Sequence, residues 1–249
     1  MLARFCSNVG NLVGEQDAIK LTNSWVGVIG LGGVGSWSAS ALVRSGVKKI
    51  TLIDPDIVVE SNINRQCHAN FSNLGKPKVV AMEEMLRQIN PSVEVVIYEH
   101  EFCEANANDI LSSSSVDYWI DACDSVRAKV CLAAQLSGFI DKRKTFLLCG
   151  AAGGKINPYE LVCMDLGETK NDALLSKVRY TLRRHHEFPR CKVMNISCIT
   201  SPEVGNRSRD FNSRISCHGY GSIVTLTATM GLLAASEAIK TIIQKDVPT

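Results

Sequence analysis

Four glycines fall within six residues, Gly30-Leu31-Gly32-Gly33-Val34-Gly35, and this cluster with its flanks constrains the fold more than any other feature of the chain. A β-branched run over 26–30 leads into it, and a helical stretch over 34–45, opening on Gly35-Ser36, follows. Glycines let the backbone turn sharply between strand and helix, and let a phosphate approach the free N–H groups at the helix N-terminus. Alone the pattern is weak, because a glycine turn also serves close packing. Here Asp54 ends the next strand, expected over 49–53, about 20 residues beyond the loop, where an acid can meet a ribose hydroxyl.

The same alternation continues. Further strands are expected over 93–98, 116–120 and 144–149, with helices over 76–89 and 126–138. This order predicts an α/β fold: a Rossmann-like, open, mostly parallel sheet. After Gly150 the pattern changes to a C-terminal extension. A hairpin is expected over 155–164, turning at Asn157-Pro158, and then a helix over 172–184. A polar, basic, irregular stretch runs to Ser216, and the apolar, small-residue-rich segment 221–244 predicts a final helix under the sheet. The chain reads as a single domain over 1–249, with a nucleotide-binding half over about 25–150 and a substrate-side half over about 151–249.

Composition excludes some classes. With 45% hydrophobic and 21% charged residues the chain is not a disordered one, and a net charge of +2 neither requires nor forbids a nucleic-acid partner. Ten cysteines include no C-x-x-C pair, which argues against a zinc ribbon; a reducing, cytosol-like compartment is the simplest reading. Residues 1–20 carry Arg4, Glu15 and Asp17 without a long apolar run, so no signal peptide is expected. The longest apolar stretches fall short of the roughly 20 residues of a membrane span, so none is expected and the chain reads as soluble.

Polar residues downstream of the loop narrow the chemistry. A hydride-transfer site needs no cations beyond the glycine loop, whereas cleaving a triphosphate builds charge on the leaving pyrophosphate oxygens. Arg65 and Lys78 can meet that charge, with Asn62 as a neutral donor; alternatively they are solvated surface cations. The stretch Ile120-Asp121-Ala122-Cys123-Asp124 ends a buried strand at the edge where open α/β sheets hold ligands. Asp124 reads as the Mg²⁺- or ATP-facing acid and Asp121 as the structural one, although Asp124 also fits the N-cap of the following helix. Lys177, Arg179, Arg183, Arg184, His185, His186, Arg190 and Lys192, opposed only by Glu187, form either a solvated face or a phosphate-neutralising surface.

The ordered motifs G-x-G-G-V-G-S, I-D-x-D, N-x-x-R-Q, G-x-x-K and D-A-x-D resemble the adenylation domain shared by ThiF, MoeB and the ubiquitin-activating enzymes. Further stretches are similar to the tRNA threonylcarbamoyladenosine dehydratases (the TcdA/CsdL group). These are Arg65-Gln66-Cys67-His68, Gly150-Ala151-Ala152-Gly153-Gly154-Lys155, Asp165-Leu166 with Thr169 and Asp172, and Ser216-Cys217-His218-Gly219-Tyr220-Gly221-Ser222. The resemblance covers roughly residues 4–243. It implies that ATP activates the carboxylate of a threonylcarbamoyl group on a tRNA adenosine, and that AMP leaves as a ring closes. It further implies that Gly33, Asp54, Asn62, Arg65, Lys78 and Asp124 hold ATP, joined by Gly30, Gly32, Gly35 and Gln66. Arg65, Lys78, Asp124 and Cys217 are the expected catalytic set, with Asp124 as the metal ligand. Cys217 is open to two readings, a covalent intermediate or a packed thiol, since ring closure on an acyl-adenylate needs no enzyme nucleophile.

Lys177, Arg179, Arg183, Arg184 and Arg190 are the tRNA-facing candidates. ATP and Mg²⁺ are the expected cofactors, without zinc. The expected partners are tRNA, a second copy of the chain, and a sulfur-relay or cysteine desulfurase protein. The expected location is cytoplasmic, with organellar association left open. Three departures stand against the family pattern: Asn11 at the second basic position of an N-terminal arm that keeps Arg4-Phe5, Ala173 in place of a frequent proline, and the stretch 188–210. Two alternatives share the ATP site, an activator of a ubiquitin-like or sulfur-carrier protein and a non-catalytic nucleotide-binding module.

Overall fold

Successive side chains of each strand point to opposite faces, and this period of two sorts the apolar ones into two cores on either side of one sheet. Val26 and Val28, Ile50 and Leu52, Tyr118 and Ile120, and Leu147 and Cys149 belong to one core, whereas Ile53, Trp119, Leu148 and Cys198 belong to the other. The structure, a computed structural model, describes residues 7–113, 115–137, 145–191, 193–205 and 220–244.

The seven strands are β1 (Trp25–Ile29), β2 (Lys49–Ile53), β3 (Glu94–Tyr98), β4 (Tyr118–Asp121), β5 (Thr145–Cys149), β6 (Val162–Asp165) and β7 (Ser197–Thr200). They form a sheet in the order β3-β2-β1-β4-β5-β7-β6, parallel except for β6 against β7. The helices are α1 (Ser7–Val13), α2 (Glu15–Asn23), α3 (Gly35–Arg44), α4 (Lys78–Ile89), α5 (Glu104–Ser113), α6 (Val126–Ser137), α7 (Ala173–His185) and α8 (Val224–Gln244). Leu21 of α2, Leu42 of α3, Met82 of α4 and Met230 of α8 cover the first core. Ile110 of α5, Leu132 of α6 and Val178 of α7 cover the second. The α/β fold with a mostly parallel sheet is therefore observed as expected. Its strand order turns back between β1 and β4, which opens a crevice at their carboxyl ends, the usual ligand position in such sheets.

Two expectations are corrected. No local hairpin spans 155–164: Pro158–Glu160 is a 3₁₀ turn, and β6 pairs instead with β7, Asp165 opposite Ser197 and Val162 opposite Thr200. The stretch read as irregular thus contributes β7, a strand inserted beside β5. Asp165 holds this arrangement, its carboxylate accepting from the N–H groups of Gly167, Met194 and Ile196.

The second correction concerns apolar length, since α8 has 21 residues and is long and apolar enough to cross a membrane. In the fold it is a core helix. Leu226, Met230, Ala234, Ala235 and Ala238 are buried, and Gly231 lies so close to α3 that a Cβ there would sit 2.4 Å from the Val34 carbonyl oxygen.

Candidate nucleotide-binding site

The glycine loop is built to sit tightly on its neighbours. Gly30 takes φ +85°, a left-handed conformation, and a Cβ at this position would lie 2.7 Å from the Cys123 backbone. The loop after β1 therefore touches the loop after β4, closing the crevice floor. Gly35 opens α3 directly over Gly30, whose carbonyl oxygen would be 1.8 Å from an added Cβ. Gly32 differs: a Cβ there meets nothing within 4 Å. Gly33 faces Thr227 and the Arg65 side chain, at 3.0 and 3.1 Å from a notional Cβ.

Asp54 ends β2 under this loop. Its carboxylate accepts from Leu31 N–H at 2.6 Å and from Asp56 N–H at 2.9 Å, so the acid braces the glycine turn itself. Burial pushes its pKa up, opposed chiefly by the nearby Lys78 ammonium. Lys78, in the first turn of α4, is buried, with Nζ 2.7 Å from Asp56 Oδ2 and 3.8 Å from Asp54 Oδ1. One lysine thus ties the end of β2 to the start of α4. Asp56 is a partner the sequence reading did not assign, although the Asp54-Pro55-Asp56 turn carried the signal.

Asn62, Arg65 and Gln66 share one tight turn. The N–H groups of Arg65 and Gln66 both donate to Asn62 O, and Trp37 Nε1 of α3 donates to Arg65 O at 2.9 Å. The Arg65 guanidinium is exposed, donating to Ser61 O and Asn64 Oδ1. Asn62 is buried, with Oδ1 accepting from Val59 N–H. Gln66 and His68 are buried, and neither Gln66 Oε1 nor either His68 ring nitrogen has a hydrogen-bond partner. Burial, reinforced by Lys78, lowers the His68 pKa to about 4, so this imidazole is neutral at pH 7.

The two acids at and just beyond the end of β4, Asp121 and Asp124, differ in their settings. Asp121 is fully buried, 3.0 Å from the equally buried Lys129 ammonium, which also donates to Asp121 O. Asp124 is exposed at the crevice rim. The helix cap is Ser125 rather than Asp124, its Oγ accepting from Ala128 N–H, so Asp124 is not committed to α6. Among the described residues no group of three or more His, Cys, Asp or Glu is gathered to hold a metal ion.

A second hub lies at the carboxyl edge of β5 and β7. Asp172 caps α7 through Leu175 N–H and accepts from Ala151 N–H and Thr200 Oγ1, both at 2.9 Å. The Lys155 ammonium lies 3.7 Å from Asp172 Oδ2 and donates to Ser201 O; burial lowers its pKa against the pull of Asp172.

The basic candidates divide. Lys177, Arg184 and Arg190 are exposed, and Arg183 is half-buried, donating to Pro189 O. Arg179 turns inward, donating to Leu166 O, Thr169 O and Thr169 Oγ1. It is thereby removed from the tRNA-facing set: its Nη1 closes the turn before α7. Cys217, His218 and Lys192, like the Arg4-Phe5 arm, lie outside the described residues.

Residues 5–249 match the model of the ThiF family. The chain is 34% identical over 246 residues to the tRNA threonylcarbamoyladenosine dehydratase of Haemophilus influenzae, covering 95% of this chain and 92% of that protein. The crystal structure of the Escherichia coli tRNA N6-threonylcarbamoyladenosine dehydratase TcdA with AMP superposes with a TM-score of 0.88 at 34% identity, covering 96% of this chain and 94% of that one. The same enzyme with ATP gives 0.86 at the same identity, covering 96% and 93%. Sequence and fold thus agree over nearly their whole length, and this chain belongs to the ThiF family, within its group of tRNA threonylcarbamoyladenosine dehydratases.

Proposed function

We propose that the protein is an ATP-dependent dehydratase that cyclises the threonylcarbamoyl group of a modified tRNA adenosine. The observation that carries this reading is the crevice between β1 and β4. There the glycine loop, the Asp54–Lys78–Asp56 cluster, the Asn62–Gln66 turn and Asp124 converge, in a chain 96% of which matches nucleotide-bound dehydratases.

In this reading Gly30, Gly32, Gly33 and Gly35 let the triphosphate approach the α3 N-terminus, where free N–H groups favour negative charge. Asp54 meets the ribose, Asn62 and Gln66 supply neutral contacts, and Arg65 and Lys78 meet the phosphates. The substrate carboxylate oxygen attacks the α-phosphorus, and pyrophosphate departs with the electron pair of the broken P–O bond. Arg65 and Lys78 are aimed at the charge that grows there. An atom of the carbamoyl group then attacks the activated carbonyl, AMP leaves with the carboxyl oxygen, and the ring closes. The net change is the loss of one water, with ATP converted to AMP and pyrophosphate.

Mg²⁺ commonly enters with a nucleotide, held by one or two carboxylates and phosphate oxygens, and neutralises phosphate charge. The exposed Asp124 fits as that single carboxylate. The chain acts as one adenylation domain, residues 25–150 holding the nucleotide and 151–249 the substrate side. A homodimer, a cytoplasmic setting and a sulfur-relay or cysteine desulfurase partner belong to the same reading.

The test is to incubate the protein with ATP, Mg²⁺ and threonylcarbamoylated tRNA and to weigh the nucleoside by mass spectrometry. A product lighter by one water is expected, and Arg65→Ala, Lys78→Ala and Asp124→Ala should each lower its rate strongly. No mass loss with the wild type, alongside adenylation of a carrier-protein C-terminus, would transfer the function to the carrier-protein class.

A further inference from the structure

The outer faces of α6 and α7 leave an open groove of about 610 Å³, lined by Val126, Arg127, Ser176, Lys177, Tyr180 and Thr181. It begins two residues after Asp124, because Val126 and Arg127 are the first turn of α6. It also begins beside the β5–β7 edge, because Asp172 pins the start of α7 there. A second hollow of about 360 Å³ continues it along α7, lined by Tyr180, Arg183, Arg184 and Arg190.

Tyr180 is common to both and is 60% exposed. Its ring is held in a charged frame: Arg184 Nη1 donates to the hydroxyl at 3.1 Å, and the guanidinium carbon lies 5.9 Å from the ring centroid. This exposed aromatic ring is paired with Arg184, shares its hollows with Arg127, Lys177, Arg183 and Arg190, and has no role in either core. Aromatic faces interleaved with Arg and Lys are the chemistry by which proteins hold unstacked nucleotides.

Resting on the dehydratase reading, we infer that this groove seats the single-stranded RNA flanking the reacting adenosine. One neighbouring base stacks on Tyr180, and Lys177, Arg183, Arg184 and Arg190 meet the adjoining phosphates. An adenosine whose side chain must reach the crevice has to leave its stack, and its neighbours then need new partners. The groove supplies them on the route from the rim acid Asp124 outward. A flexible protein tail has no comparable need for a fixed ring amid cations, so RNA is the occupant favoured by charge and by stacking alike.

The experiment compares Tyr180→Ala and Tyr180→Phe with wild type, measuring kcat and KM for threonylcarbamoylated tRNA and calorimetric affinity for a non-hydrolysable ATP analogue. Tyr180→Ala should raise KM for tRNA about tenfold, while kcat at saturating tRNA and ATP affinity stay unchanged. Tyr180→Phe should keep a wild-type KM, since the stacking face remains. A wild-type KM in Tyr180→Ala overturns the groove while leaving the dehydratase reading intact, as does an equal rise in both variants, which would point to the hydroxyl instead. If wild-type protein converts no modified tRNA at all, the function falls first and the groove with it.

Discussion

At the scale of single residues, the loop glycines are required for different reasons, and substitution separates them. Gly35→Ala would drive a methyl group into the Gly30 carbonyl oxygen, so it should cost at least about 2 kcal/mol in urea unfolding. Gly32→Ala meets no protein atom, so the fold should keep wild-type stability, within about 1 kcal/mol. Its ATP affinity, read by calorimetry, should nevertheless fall several-fold, because only a bound phosphate makes that position crowded. Unchanged affinity in Gly32→Ala would remove Gly32 from the nucleotide contacts.

His68 offers a pH test. Its folded-state pKa of about 4 lies below the ordinary 6.5, so above pH 6.5 it is neutral in both states. As pH falls from 6.5 towards 4 the unfolded chain gains a proton that the folded chain refuses, and stability is lost. The loss attributable to this group approaches on the order of 3 kcal/mol at pH 4. A His68→Leu variant should lack this part of the acid slope in denaturation midpoints measured over that range. Identical slopes would show that the ring is hydrated or paired in solution.

At the scale of elements, Asp172, the N-cap of α7, fastens the first turn of that helix to the loop after β5, to Lys155 and to the end of β7. Asp172→Ala removes the nearer of the two carboxylates that act on the buried Lys155 ammonium, Glu203 being the other, and should cost roughly 3–5 kcal/mol. Lys155→Met added to it should restore part of that loss, because the buried charge is then removed. A double-mutant cycle by urea denaturation checks the sign; simple additivity would mean that the two side chains do not interact.

Motifs that mark the dehydratase group in the sequence, Asp165, Thr169 and Asp172, thus prove to be fasteners of β6, β7 and α7. Arg179 belongs with them, and its inward turn was not visible in a run of cations. A helix surface offers every basic residue to solvent until the neighbouring carbonyls of Leu166 and Thr169 are known.

At the scale of the whole molecule, the proposed ATP crevice lies between β1 and β4 and the proposed RNA groove on the outer faces of α6 and α7, and salt should tell them apart. Arg183→Ala with Arg184→Ala should weaken tRNA binding and reduce the slope of log affinity against log salt by roughly 1.4–1.8. ATP affinity should barely move, because the crevice lies between β1 and β4. Equal slopes for wild type and the double variant, measured by tRNA binding across a salt series, would exclude both arginines from phosphate contact.

Local chemistry alone determined β1 to β5, the helices between β1 and β2 and between β4 and β5, α4, α7 and α8. Hydrophobic period and glycine turns are written in neighbouring residues. It also pointed to candidates around the crevice, several at a strand end or a helix start, with Asn62, Arg65 and Gln66 in the turn between β2 and α4. The short helices α1, α2 and α5 carried too little periodicity to be read. Only the tertiary structure decided that β6 pairs with β7 across more than 30 residues, because a four-residue strand is stabilised by its partner and not by its own propensity. The same holds for Lys78 between Asp54 and Asp56, Lys129 on Asp121, and Arg179 on Leu166 and Thr169. Each depends on through-space distances of a few ångströms, which no spacing along the chain contains.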